Sequence, residues 1–134
     1  MLDLDSITQA QTASVDIVHP LTNQPTGARV TLAGPEHPTR KALKWKRQRQ
    51  LRAQYQKAGR VVFGDPEEDE AETIEVLAAC TLGWEGIADD GQPVAFSEAA
   101  ARELYARPEL AWLRAQLAAA LEQQEVFIKT SGSA

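Results

Sequence analysis

Residues 71 to 96, AETIEVLAACTLGWEGIADDGQPVAF, constrain the fold more than any other stretch of this chain. Ala71, Ile74, Leu77, Ala78, Thr81 and Leu82 recur at helical spacing, so a helix here must bury one face. Gly83 is suited to the positive-φ position that closes such a helix. Trp84 follows, and Gly86 lets the chain turn again. Asp90-Gly91 is a tight-turn signal ahead of Pro93 and Phe96. The stretch therefore predicts a buried helix, a break presenting Trp84, and a turn leading into the next helix.

The segments before it carry two further patterns. Residues 14 to 19 and 28 to 33 alternate apolar and polar side chains, with Val15 and Ile17 on one face of the first run and Val30 and Leu32 on one face of the second. Between them lies PLTNQPTG, dense in turn formers, so 14–33 reads as a β-hairpin. A lone two-stranded ribbon is marginal in water and must pack on a helix or pair with another chain. GPEHPT then breaks the chain, Pro38 suits a first helical turn, and Gly59 is a C-terminal stop. This helix carries a strong charge bias. From Arg40 to Arg60 there are nine basic residues and no acid, with Leu43, Leu51 and Tyr55 forming a partial apolar stripe and Trp45 beside it. Residues 65 to 75 then hold seven acids in eleven positions. Asp65 and Pro66 read as the cap and first turn of the acidic helix, whose early carboxylates suit its dipole.

The adjacent blocks of opposite charge admit two readings. The basic helix, with Trp45 and Tyr55, can bind phosphate. Alternatively the two blocks compensate one another, within one chain or between subunits. The net charge of −5 favours compensation over nucleic acid. Arg40, Lys44, Arg47, Glu67, Glu68 and Glu70 are the expected charged oligomer or partner surface.

Downstream, Ser97 is a helix cap with Glu98 on the dipole. Ala100, Leu104 and Tyr105 are placed inward, and Pro108 ends that helix and opens the next. Leu110, Leu113, Leu117 and Leu121 line the last helix. Trp112 lies off that line, as a rim residue or a partner anchor. Val126, Phe127 and Ile128 form an apolar triplet that either docks on the body or serves another chain.

No catalytic or metal constellation assembles. Asp89, Asp90 and Glu85 lack a convergent His or Lys and lack calcium-loop spacing. His19 and His37 are the only histidines, and Cys80 is the only cysteine. The lone thiol rules out an internal disulfide, fits a reducing setting, and reads as a small core residue. No apolar run approaches the roughly 20 residues needed to span a bilayer, and the polar N-terminus has no leader pattern. The expectation is a binding protein without cofactor, metal or catalytic residues.

In sequence order, "PLTNQPTG", the Lys/Arg-rich helix, "LAACTLGWEGI", "DDGQPVAFSEAAARELY", "PELAWLRAQL" and a terminal "FIK" resemble the tail assembly chaperones of long-tailed bacteriophages and prophages. The likeness spans nearly the whole chain, and its most specific block is Trp84-Glu85-Gly86-Ile87. It implies a non-enzymatic protein of tail morphogenesis in the host cytoplasm. Such proteins bind the tape measure protein, keep it soluble and help recruit tail tube protein. A frameshifted longer form can make the tube contact. A structural tail completion or connector component is the alternative, and a nucleic-acid-binding protein using the basic helix comes after it.

The reading is thus a single α+β domain, mainly helical, with about four helices and an N-terminal β-hairpin. Residues 1–12 are expected to be a flexible N-terminus, 14–33 the hairpin, 38–128 a helical body and 129–134 a flexible tail. Trp84, Phe96, Trp112 and Phe127 are the expected partner-binding residues. A homo-oligomer is expected, because the hairpin and the unbalanced basic helix need neighbours.

Overall fold

The computed structural model describes residues 1–60 and 65–130. It has the expected class: α+β, mostly helical, with four α-helices and strands at the N-terminal end. The order is β1 (Ile7–Gln9), β2 (Thr12–Val18), β3 (Pro25–Ala33), α1 (Pro38–Ala58), α2 (Pro66–Cys80), β4 (Thr81–Glu85), β5 (Ala88–Asp89), β6 (Gln92–Pro93), α3 (Glu98–Ala106), α4 (Ala111–Glu122) and β7 (Ile128–Thr130), with short 3₁₀ turns at Pro108–Leu110 and Gln124–Phe127. Residues 61–64, and residues 131–134 of the expected 129–134 tail, lie outside the described residues.

The hairpin is β2 and β3, antiparallel, with Ser14 opposite Thr31 and Val15 opposite Val30. Its loop is held by His19. The backbone N–H groups of Leu21 and Thr22 donate to the His19 Nδ1 at 3.1 and 3.3 Å, and Asn23 takes a left-handed conformation. The Thr26 hydroxyl donates to the Ile17 carbonyl at 2.7 Å, beside the register shift between Asp16 and Val18.

The hairpin is not alone. The expected helix closure at Gly83 is overturned: α2 ends at Cys80, and Thr81–Glu85 runs on as β4, antiparallel to β3. Gly83 lies opposite Thr31 in this ladder and has no positive φ. The physical reason is nonlocal. β3 offers a free edge, and β4 supplies the third strand from within the chain, so the hairpin's need for another subunit disappears. Side chains alternate across the three strands. Val15, Val30 and Trp84 form one inward row, and Ala13, Leu32 and Thr81 another. Asp16, Arg29 and Glu85 share the outer face. There Arg29 bonds Asp16 at 2.9 Å, and the pairing raises the guanidinium pKa.

The inward rows pack against α2, α3 and α4 to make one core. Leu77, Ala78 and Cys80 come from α2, Ala101, Leu104 and Tyr105 from α3, and Leu113, Leu117, Ala120 and Leu121 from α4. Removing each large aliphatic side chain from water is worth about 1.5–3 kcal/mol, the main term holding the layers together. The Ser97 hydroxyl accepts from the Ala100 N–H at 3.0 Å and caps α3 as expected. Asp65 occupies the cap position of α2 but makes no side-chain cap bond. The predicted turn at Asp90-Gly91 joins β5 to β6, both residues having positive φ.

The ends of the chain differ from expectation. Parts of the expected flexible ends, 1–12 and 129–134, lie in strands: β1 and β7 pair antiparallel, with Ile7 opposite Thr130 and Gln9 opposite Ile128. The neighbouring Ala10 N–H donates to the Phe127 carbonyl at 2.6 Å. No helix among the described residues is long and apolar enough to cross a membrane.

Candidate partner-binding surface

Trp84 and Phe96 meet, but inside the monomer. Their rings are T-shaped with centroids 5.0 Å apart, and Tyr105 stands 6.4 Å from Trp84 on another edge. The Trp84 indole N–H donates to the Val94 carbonyl at 2.8 Å, tying β4 to the segment after β6. Edge-to-face aromatic pairs are worth about 0.5–1.5 kcal/mol beyond their buried area. Both rings are half-buried against the core. Their geometry clamps the β5–β6 hairpin to α3, and the indole donor is already used.

Phe127 is a core residue, with no exposed surface. The apolar triplet docks on the body, which removes Phe127 from the surface a partner can reach in this conformation. Its flanking residues Val126 and Ile128 point outward. Trp112 is half-buried at the core margin, as its position off the leucine line implies.

Arg40 also departs from the expected surface role. It donates to the carbonyls of Ala33 and Leu121 at 3.3 and 2.6 Å, and its guanidinium lies 5.8 Å from the Phe127 ring centroid. This places it in a bracing role: it joins the end of β3 to the end of α4 and covers an aromatic face. Periodicity could not distinguish it from the other eight cations.

The remaining charges compensate only in part. One ion pair among the described residues joins α1 to α2, Arg47 with Glu72 at 2.5 Å. Glu70 turns to Arg114 at 3.0 Å, and Glu75 to Arg102 at 2.7 Å. Lys41 meets Glu36 at 2.6 Å ahead of α1. Lys44, Glu67 and Glu68 are exposed and make no ion pair among the described residues.

Sequence reasoning underweighted the side chains of α1. His37 caps the helix by accepting from the Thr39 N–H, and left-handed Gly59 ends it by bonding back to the Tyr55 carbonyl. Between these stops lie 21 residues, none buried. Leu43 touches the core, whereas Trp45, Leu51 and Tyr55 are 53%, 39% and 55% exposed. The signal was present in the composition: a helix with so many cations and so few apolar residues cannot bury a full face.

Cys80 and Tyr105, groups with reactive chemistry elsewhere, are buried in the core. Burial raises the Cys80 thiol pKa, against a small opposing pull from Arg40. The Thr81 hydroxyl donates its one proton to the Leu77 carbonyl at 2.7 Å, so the Tyr105 O–H at 2.8 Å donates to Thr81. Burial pushes the Tyr105 pKa up to about 12. Two open hollows on the outer sheet face are lined by Asp16, Arg29, Thr31 and Glu85. No cluster of three or more metal-ligating side chains occurs among the described residues. No family model, curated protein or solved structure matches the chain.

Proposed function

We propose that this protein is a tail assembly chaperone of the kind its sequence resembles, holding the tape measure protein soluble in the host cytoplasm while tail tube subunits gather around it. The observation that carries the reading is α1. A protein that holds a helix-forming chain needs apolar surface that its own core does not consume. Trp45, Leu51 and Tyr55 supply it, on a helix of about 30 Å that buries none of its residues. Trp112, at the core margin, is a second contact. Work of this kind is binding alone, and a longer frameshifted form would add the tail tube contact.

The test is co-expression with the tape measure protein of the same genome, followed by pull-down and sizing. The expected result is a soluble long chain that co-elutes with several copies of this protein. A long chain that stays insoluble while this protein elutes alone would overturn the reading. Recovery of the protein from purified particles would then favour a structural tail component.

A further inference from the structure

The free face of α1 also carries information about what it binds. At 3.6 residues per turn, Leu51, Tyr55 and Trp45 lie about 80°, 120° and 200° round the helix from Leu43, the residue that touches the body. Lys44, Gln48 and Arg52 interleave with them. Positions 45, 48, 52 and 55 repeat as i, i+3, i+7 and i+10, and 44, 48, 51 and 55 fall on the same side, the spacing by which one helix meets another. Lys44 and Arg52 make no ion pair among the described residues. The face therefore alternates apolar and cationic side chains around one side of the helix, and has no partner among the described residues.

We infer that this face binds an acidic amphipathic helix of the client, its apolar side chains seated on Trp45, Leu51 and Tyr55 and its carboxylates facing Lys44 and Arg52. The inference rests on the chaperone reading for the identity of the client, and on charge complementarity for its chemistry. A nucleic acid fits less well. Its phosphates would satisfy the cations but leave the apolar side chain of Leu51 wet. The acidic helix of a second copy also fits less well. Asp65 to Val76 offers seven carboxylates, but of its two large apolar side chains Ile74 packs on its own core and only Val76 is exposed to meet the aromatic rings.

The test uses the full chain and three labelled probes in fluorescence anisotropy. One is a synthetic helical peptide with leucines at i, i+3 and i+4 spacing flanked by glutamates. The others are its lysine-flanked counterpart and a DNA duplex of similar length. The glutamate peptide is expected to bind, and the lysine peptide to bind at least roughly tenfold more weakly. The double variants Lys44→Glu/Arg52→Glu and Trp45→Ala/Tyr55→Ala are each expected to lose roughly tenfold or more of the peptide affinity. Their thermal unfolding should match that of the parent, since all four side chains lie outside the core. Equal binding of both peptides, tighter binding of the duplex, or variants that bind like the parent would overturn the inference. So would self-association that the variants abolish in the absence of peptide binding. The co-expression assay separates the two proposals. Undiminished rescue of the client by the charge-reversal variant sinks the inference and leaves the chaperone reading standing. Failure of the parent protein to rescue, with peptide binding intact, sinks the reading and leaves the surface assignment.

Discussion

The side chain of Gln116 meets the backbone of Val18 as a neighbouring strand would. Its carboxamide nitrogen donates to the Val18 carbonyl at 2.8 Å, and its oxygen accepts from the Val18 N–H at 3.2 Å. Val18 ends β2, the outer strand of the three-stranded sheet, just past the register shift. One residue of α4 thus satisfies both backbone groups at a place where no further strand pairs.

Gln116→Ala is expected to cost about 1–3 kcal/mol, because it strands a part-buried donor and acceptor together. Gln116→Glu should cost at least as much, since a carboxylate cannot donate to the Val18 carbonyl. Urea denaturation of both variants checks this. Unchanged midpoints would mean that water replaces the amide freely.

Gly34 and Gly83 should respond in opposite ways to alanine. A Cβ at Gly34 would lie 2.9 Å from both the Ala10 carbonyl oxygen and Cδ1 of Phe127. Since the oxygen is backbone, Gly34→Ala is expected to lose about 1–3 kcal/mol. At Gly83 a Cβ meets nothing within 4 Å and φ is not positive, so Gly83→Ala should stay within about 0.5 kcal/mol of the parent. Paired thermal melts decide. Substantial destabilisation at Gly83 would contradict its strand placement.

Phe127→Ala is expected to cost about 3–5 kcal/mol, as for a fully buried aromatic residue. Trp112→Ala, at the core margin, should cost less and leave a cooperatively folded monomer with weaker client capture. Denaturant titrations combined with the co-expression assay measure both effects. Full loss of fold in the Trp112 variant would move that side chain from the margin into the core.

Stability should fall in alkali through Tyr105. Its pKa is pushed from 10.0 to about 12 in the folded chain, so the unfolded chain loses the phenol proton first. The stabilisation is complete below pH 10 and is lost as pH rises through about 12, with at most about 2–3 kcal/mol at stake for a two-unit shift. Tyr105→Phe should flatten this part of the pH profile, measured as the urea midpoint from pH 8 to 12. A parent profile that is already flat would refute the assignment.

What the sequence disclosed was set by local chemistry. The hairpin loop, the two stops of α1, the Ser97 cap and the Asp90-Gly91 turn depend on a few adjacent residues, and each is where its residue types imply. The surprises involve partners far apart in the chain. Thr81–Glu85 is a strand only because β3 has an edge to offer, and a helical pattern followed by glycine cannot disclose that. The three-residue strands β1 and β7 are too short to announce themselves and exist as a pair. Arg40 faces inward and Glu70 turns to Arg114 for the same reason: charge blocks show that partners exist, and the fold decides which ones meet. The candidate surface was half legible. Its cations and aromatic residues stand out in the sequence, but that α1 would keep all of them out of the core follows from how little of it α2 covers.

The pairing of β7 with β1 also bears on the order in which the protein can be made. A ribosome delivers β1 and Gly34 well before Phe127, so a growing chain can assemble its hairpin, α1 and α2 while the place beside Gly34 is still vacant. Contacts between residues so distant in sequence form late and slowly. Arrival of Phe127 and β7 is then the event that closes this part of the molecule. A ribosome that stalls before them would hold β1 without its partner strand.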